Sequence, residues 1–237
     1  MIALENKTIA DIVSEHNTTA EIFDNYHVDY CTSGNLVLEE GIKGSGISYD
    51  DLISDLQLAI KKEPDSNINF KELSIPGLIE LIRTDHHEYL RGKISELTGL
   101  SLHMKREKAI KKIDQIHDLL LSSFDHLAPH MLREEKVLFP YLEYMEHMVA
   151  KGKKPKPPSF GKVKKSVAEM LDEHRDSTNM LEELRELTNN FIAPDNASED
   201  LVLFFNELKL LDKNLRMHIH LENNVLFMKA KAMAEEL

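Results

Sequence analysis

Apolar residues recur every three or four positions along most of this chain of 237 residues, a spacing typical of α-helices that bury one face. In residues 8–26 the apolar positions form two groups separated by Asn17, so the pattern predicts two short helices. A further helix follows a stretch punctuated by glycines and carries Leu52 and Leu56 on one face. The pattern therefore predicts a small helical domain over residues 1–62.

Longer helices are predicted after a polar linker at residues 63–75. The first begins at Pro76 and its end near Gly99 stays open, the second runs from Ile110 past Leu138, the third covers about 163–190 and the fourth about 201–234. Pro129 lies inside the second helix and is expected to kink its backbone. Residues 76–237 are thus expected to form one helical domain.

An internal duplication lies within these helices. Residues 130–140 (HMLREEKVLFP) align without a gap with residues 218–228 (HIHLENNVLFM), and His, Glu, Val, Leu and Phe coincide. The first four of these share one side of a helix, so Val137 and Leu138 are expected to point inward with the imidazole and the carboxylate. Each copy is preceded, at nearly the same interval, by another His on the preceding helix. The repeated unit is a helical hairpin, and two hairpins make a four-helix bundle.

The amino-acid composition argues against several structural and functional classes of protein. The chain has no Trp, 6% aromatic residues, 9 Gly and 8 Pro, which argues against strands and predicts an all-α protein. A formal net charge of −12 opposes binding to nucleic acid and to anionic membranes. No apolar run approaches the length of about 20 residues that spans a membrane. Residues 1–7 lack the pattern of a secretion signal, and the single cysteine suits a reducing cytosol, so a cytoplasmic protein is expected.

The duplication brings four His and two Glu to one predicted bundle interior. They are His87, His130, Glu134, His174, His218 and Glu222. Buried charges without partners cost several kcal/mol each, so a metal is the expected partner of this set. The set exceeds the ligands of one tetrahedral zinc and suits a carboxylate-bridged pair of iron ions, with manganese or a mixed pair as alternatives. The competing interpretation is a plain bundle with His–Glu pairs on its surface.

The first position of this set has two candidates. The apolar stripe of the first long helix is centred nearer His86, whereas the repeat favours His87. Periodicity and repeat therefore disagree at this point.

Several motifs match those of a known family. They are Phe23, Tyr26, Asp29, Tyr30, Cys31 and Gly34 near the N-terminus, and residues 86–91, residues 130–135, Glu173, His174 and residues 218–227 in the bundle. On these residues the chain resembles the hemerythrin-like di-iron proteins for repair of iron centres, the iron-sulfur cluster repair family. The resemblance covers nearly the whole chain and implies a hemerythrin-like four-helix bundle with a small N-terminal helical domain that bears cysteine.

The resemblance also implies which residues hold metal. In the family the second His of the His-His pair, the His and Glu of each repeated motif and the His of Glu-His hold two irons, and the two Glu bridge them. This favours His87 over His86. A seventh ligand, a His, is implied at the position of Lys108. His103 is the nearest substitute, although on a continuous helix it lies nearly opposite to His87 and can serve only if the helix breaks near Gly99. Weaker options are His117 and His126.

Cys31 marks the other departure from the family. Thr32 stands where the family has a second cysteine, so any chemistry of Cys31 is that of a single thiol. One interpretation makes Cys31 a small buried apolar residue. The other, which the neighbouring Ser33 and Gly34 favour, makes it a thiol exposed in a turn and a candidate catalytic residue. A homodimer would bring two copies of Cys31 together.

The resemblance implies a function in stress response. Such a protein restores iron-sulfur clusters damaged by oxidative or nitrosative stress, by donating iron or by handling nitric oxide, and its partners are the damaged iron-sulfur proteins. One alternative is a carrier or sensor of O2 or NO, and another is a di-iron enzyme that reduces NO or peroxide. The cysteine-bearing domain favours repair, since a gas carrier does not need it. The residues leave open whether the protein is an enzyme.

Overall fold

The computed structural model describes residue 4, residues 6–64 and residues 66–235. Asp65 of the predicted linker, and residues 1–3, 5, 236 and 237 of the predicted domains, lie outside this range. Within it the chain forms α1 (Ile9–Glu15), α2 (Thr19–Asn25), α3 (Leu38–Gly41), α4 (Tyr49–Lys61), α5 (Ile75–Leu81), α6 (Glu88–Glu107), α7 (Ile113–Arg133), α8 (Phe139–Ala150), α9 (Val163–Thr188), α10 (Glu199–His220) and α11 (Phe227–Glu235). The described residues contain no strand beyond an isolated bridge between Thr8 and Val37, so the all-α prediction is confirmed.

The two short helices predicted in residues 8–26 are α1 and α2. Thr8 begins α1 with a capping box, in which its hydroxyl accepts from the backbone of Asp11 and the Asp11 carboxylate accepts from the backbone of Thr8. Ser48 caps α4 by accepting from the backbone of Asp51 at 3.3 Å. These side-chain caps therefore stabilise the N-termini of α1 and α4.

One compact unit consists of Met1–Ile79 together with Met217–Leu237. Its interior is apolar and includes the fully buried side chains of Phe23, Leu52 and Phe227. The end of α10, the turn after it and α11 thus belong with the N-terminal helices. The domain bounds at residues 62 and 76 stay a prediction.

The other compact unit is Glu80–Arg216. In it α6 packs on α7, and α7 packs on α9. Leu120, Leu181 and Phe204 are fully buried in its core. This unit contains most of the four long helices that the sequence predicts.

Two predicted weak points lie inside continuous helices. Helix α6 passes through Gly99 without interruption and ends at Glu107, where the C-cap residue Lys108 has a left-handed φ of 50°. Helix α7 likewise continues on both sides of Pro129. A π-helical turn begins at Glu134, and the kink at Pro129 stays a prediction.

Three π-helical turns interrupt the long helices, at Ile82–His87, Glu134–Leu138 and Leu221–Leu226. A π turn inserts one residue into the helix, which rotates the following side chains by about 100° relative to an α-helix. The prediction that Val137 points inward is wrong, because its side chain is 43% exposed, whereas Phe139 is buried. In the second copy Phe227 is also buried, and Val225 stays inside.

Candidate metal centre

Four of the predicted ligands gather inside the unit Glu80–Arg216. Glu134 lies with Oε2 3.5 Å from Nε2 of His87 and with Oε1 3.3 Å from Nε2 of His130. Nε2 of His130 is in turn 3.1 Å from Nε2 of His174. None of the four residues is more than 4% exposed. The two oxygens of one buried carboxylate thus face two different imidazoles, as a carboxylate shared by two metal ions would.

Two of these three imidazoles also contact a carboxylate through Nδ1, the ring nitrogen that does not face Glu134. Nδ1 of His87 lies 2.9 Å from Oε1 of Glu135, and Nδ1 of His130 lies 2.6 Å from Oε2 of Glu173. A carboxylate accepts the Nδ1 proton of a neutral imidazole and leaves the lone pair of Nε2 for a metal. The structure therefore selects the tautomer that metal binding requires.

Each of these carboxylates also accepts from an arginine, Glu135 from Arg91 and Glu173 from Arg133. Burial alone would raise the pKa of Glu135, but hydrogen bonds from Arg91 and His87 hold it below its ordinary value. The pKa of Glu173 is lowered chiefly by its hydrogen bond from His130, with Arg133 adding to the effect. Both carboxylates are therefore anionic near neutral pH.

The remaining two predicted ligands belong to the other compact unit. His218 lies near the C-terminus of α10, and Glu222 lies in the π-helical turn that follows. Nε2 of His218 is 3.5 Å from Oε2 of Glu222, and both side chains are fully buried. The two residues belong to groups of buried His and Glu that could hold a metal ion, as do His87, His130, Glu134 and His174.

His86 faces a different partner from His87. Its Nδ1 lies 3.2 Å from the side-chain oxygen of Asn214, and burial lowers its pKa. The structure thus brings His87 to Glu134 and directs His86 to another helix.

The substitutes for a seventh ligand do not join these groups. The side chain of His103 is 49% exposed and lies 3.4 Å from Asp200. Because the helix does not break at Gly99, His103 stays on the outer side, as the sequence predicts for a continuous helix. His117 is buried against Ser101 at 2.8 Å.

Cys31 is fully buried. The expectation of a thiol exposed in a turn is therefore wrong. Side chains from the C-terminal part of the same unit, Asn223 and Asn224, donate to the carbonyl of Cys31 at 3.2 and 3.0 Å and cover the turn. Thr32, in place of the second family cysteine, donates its hydroxyl to Asp29.

A cavity of about 360 Å³ opens beside His130. His126, one of the weaker ligand candidates, lies in its wall and faces the carbonyl of Ser122 at 2.7 Å. Asp125, Asp176 and the carboxylate of Glu173 also line it. Arg133 and apolar side chains are also part of the lining, and the cavity gives one side of His130 an approach from solvent.

Sequence reasoning missed the two carboxylates and two arginines that support His87 and His130. A signal for them exists in the sequence, because Glu135 adjoins Glu134 and Glu173 adjoins His174. The arginines follow their imidazoles by one helical turn. Without the structure nothing distinguishes these charges from an ordinary solvated helix face.

Two family models match the chain. A model described as the hemerythrin HHE cation binding domain matches residues 78–230. The chain belongs to this family. A second model, described as ScdA_N, a domain of unknown function (DUF542), matches residues 5–60. The resemblance inferred from the motifs is confirmed.

Curated relatives match along nearly their whole length. The chain is 28% identical to the iron-sulfur cluster repair protein ScdA of Staphylococcus haemolyticus, over 93% of this chain and 96% of that protein. It is 27% identical to the iron-sulfur cluster repair protein YtfE of Edwardsiella ictaluri, over 88% and 89%. For YtfE of Pectobacterium atrosepticum the identity is 24%, over 97% and 98%. In the described part of the chain no helix is long and apolar enough to cross a membrane.

The donor set fits the iron that this family binds. Imidazole nitrogens and carboxylate oxygens are ligands that iron, manganese and zinc all accept, and soft thiolate ligands are absent from these groups of described residues. Glu134 turns one oxygen to each of two imidazoles. The chain's own residues thus supply neutral nitrogen donors, anionic oxygen donors and fixed orientations.

Replacing Glu135 by alanine is expected to lower iron affinity by about 10–100-fold, because His87 loses the acceptor that fixes its tautomer and orientation. Competition against a chromogenic ferrous chelator measures this change. Glu88→Ala, which removes an exposed carboxylate next to His87 in sequence, is the matched control and should bind iron as the unchanged protein does. Equal affinities in the two variants would show that Glu135 does not orient His87.

Proposed function

We propose that this chain binds two iron ions through the duplicated ligand set, with Glu134 and Glu222 as bridging carboxylates. The ligands are His87, His130, Glu134, His174, His218 and Glu222. The observation that carries the proposal is the placement of the Glu134 oxygens toward two different imidazoles whose outer nitrogens are already engaged. The internal repeat supports an equivalent role for Glu222.

The irons, when bound, supply ions that can change oxidation state or exchange with a partner. The residues of the chain hold and orient them. Glu135 and Glu173 keep the Nε2 lone pairs of His87 and His130 turned inward. Buried apolar side chains exclude water from most of the centre, whereas His130 borders the cavity.

The function that we propose is repair of iron-sulfur clusters in proteins damaged by oxidative or nitrosative stress, by donation of iron. The relatives that match over most of the chain are named iron-sulfur cluster repair proteins. In the lining of the cavity the charge of Glu173 is paired with Arg133, whereas Asp125 and Asp176 add two further carboxylates, which favour passage of a cation over passage of neutral O2 or NO. Residues 1–62 form the cysteine-bearing domain in this proposal, residues 63–75 the linker and residues 76–237 the di-iron domain.

Iron-loaded protein is expected to restore activity to a [4Fe–4S] dehydratase whose cluster has lost iron after exposure to peroxide. The iron-free protein should not restore it, because in this proposal the missing iron comes from the loaded centre. The measurement is dehydratase activity over time under anaerobic conditions, with excess ferrous chelator present to remove free iron. An equal amount of ferrous salt under the same chelator is the control.

Three outcomes would contradict iron donation. Recovery with the iron-free protein would point to another repair chemistry. Recovery in neither case, with a reversible change of the visible spectrum on adding O2 or NO, would support a gas carrier or sensor. Turnover of NO or peroxide by the iron-loaded protein in the absence of the dehydratase would support a di-iron reductase.

A further inference from the structure

Side chains in the π-helical turn Leu221–Leu226 bind one short segment near the N-terminus, which belongs to the same compact unit. The segment is residues 29–32, here called the Cys31 turn. The side-chain nitrogen of Asn224 lies 3.1 Å from the carbonyl oxygen of Tyr30 and 3.0 Å from that of Cys31. Asn223 also donates to the carbonyl of Cys31, at 3.2 Å. Carbonyl oxygens only accept, so the side-chain amides are the donors in all three contacts.

His220, on the last turn of α10, adds a contact to the same turn. Nδ1 lies 3.3 Å from the carbonyl oxygen of Tyr30 and 3.2 Å from the side-chain nitrogen of Asn224. Nε2 lies 3.1 Å from the hydroxyl of Ser14. His220 thereby joins α1 and the Cys31 turn to the helix that carries the ligand pair.

The Cys31 turn is fixed from its other side as well. The carboxylate of Asp29 accepts from the backbone of Cys31 at 2.8 Å and from that of Thr32 at 2.9 Å. A Cβ at Gly34 would lie 2.6 Å from the carbonyl oxygen of Tyr30, so only glycine permits the close approach there. Contacts within the segment itself therefore help to fix the carbonyls that Asn224 binds.

We propose that His220 and Asn224 are positioning residues that fasten the Cys31 turn to the π-helical turn and so hold Glu222 in place for iron. The proposal rests on the proposed function in one respect, the role of Glu222 as a ligand. A π turn is a rare local departure from α-helical geometry, so contacts from outside the helix help to set its shape. Glu222 lies between His220 and Asn224 in sequence, and movement of either residue changes the direction of its carboxylate.

The Asn224→Asp variant tests this with little change in volume. It replaces a donor that faces two carbonyl oxygens by a carboxylate oxygen that repels them. We expect the thiol of Cys31 in the iron-free full chain to react with a disulfide reagent about tenfold faster, because the turn opens more often. We also expect the iron-loaded variant to release iron to a ferrous chelator about tenfold faster. Asn206→Asp, which adds the same charge at an exposed position of α10, should change neither rate.

The possible outcomes distinguish a residue that only fastens the Cys31 turn from one that also positions Glu222. A faster thiol reaction with unchanged iron release would show that Asn224 fastens the turn without positioning Glu222, and would overturn the proposal. Faster iron release with an unchanged thiol reaction would overturn it too, as would no change in either rate. If the unchanged protein binds no iron, the proposed function fails, and the thiol reaction still reports the fastening by itself.

A milder variant covers the case in which Asn224→Asp does not fold. Ser14→Ala removes only the hydroxyl that Nε2 of His220 faces, on α1 and away from the Cys31 turn. We expect both rates to rise in this variant by about threefold, in keeping with the loss of one neutral hydrogen bond. A folded Ser14→Ala protein with the rates of the unchanged chain would overturn the role of His220.

Discussion

Replacing Glu134 by alanine is expected to leave a folded protein that binds no iron. One oxygen of this carboxylate faces His87 and the other faces His130, so the change removes an anionic donor from both positions at once. Loss of a supporting carboxylate alone lowers metal affinity by about 10–100-fold, and loss of a shared ligand should exceed that. Metal analysis and the visible spectrum of anaerobically purified protein measure the effect.

The control for Glu134→Ala is Glu183→Ala, which removes an exposed carboxylate of α9 and should keep the full iron content. Glu134→Gln is the finer variant, since it keeps the shape and one oxygen donor but removes the charge. It should hold less iron than the unchanged protein and more than Glu134→Ala. A full complement of two irons with an unchanged spectrum in Glu134→Ala would mean that Glu134 does not bridge them.

Removing iron is expected to lower the melting temperature by on the order of 10 °C, because metal binding to buried ligands is also folding free energy. Glu134 and Glu222 are fully buried carboxylates, and iron supplies the positive charge that offsets their desolvation. Thermal unfolding followed by circular dichroism, with and without a chelator, measures the difference.

The Glu134→Leu variant provides a sharper test of the same argument. Exchanging a buried carboxylate for an apolar side chain of similar size removes the desolvation cost. The iron-free variant should therefore melt no lower than the iron-free unchanged protein, and a chelator should not alter its melting temperature. A chelator that leaves the unchanged protein's melting temperature constant would count against a buried iron site.

The proposed ligand set could be selected from the sequence because its His and Glu are repeated. Two copies of a helix that carry His and Glu at the same positions are unexpected by accident, and their spacing places both groups on one side of a helix. The choice between His86 and His87 was not predictable from periodicity. The π-helical turn Ile82–His87 shifts the phase of the helix at that point, so a stripe calculated for α-helical geometry falls on the neighbour.

The π-helical turns also account for the buried Phe of each copy, Phe139 and Phe227. They do not by themselves explain the exposure of Val137, because Val225 at the equivalent position is buried. The conserved spacing of Phe within the two internal copies was the available signal for these turns. A position nine residues after the His lies on the far side of a regular α-helix, so α-helical periodicity does not predict that Phe is buried.

The sequence by itself determined the helical class, the approximate spans of the helices, the internal duplication and the residue types at the metal centre. Each of these depends on neighbours within a few turns, where apolar spacing and capping act. Only the tertiary structure decided that His87 faces Glu134, that Glu135 and Glu173 orient the imidazoles, and that Cys31 is buried. These outcomes depend on contacts between distant segments, such as Asn224 with Cys31, and side-chain partners across such distances leave no periodic trace in one sequence.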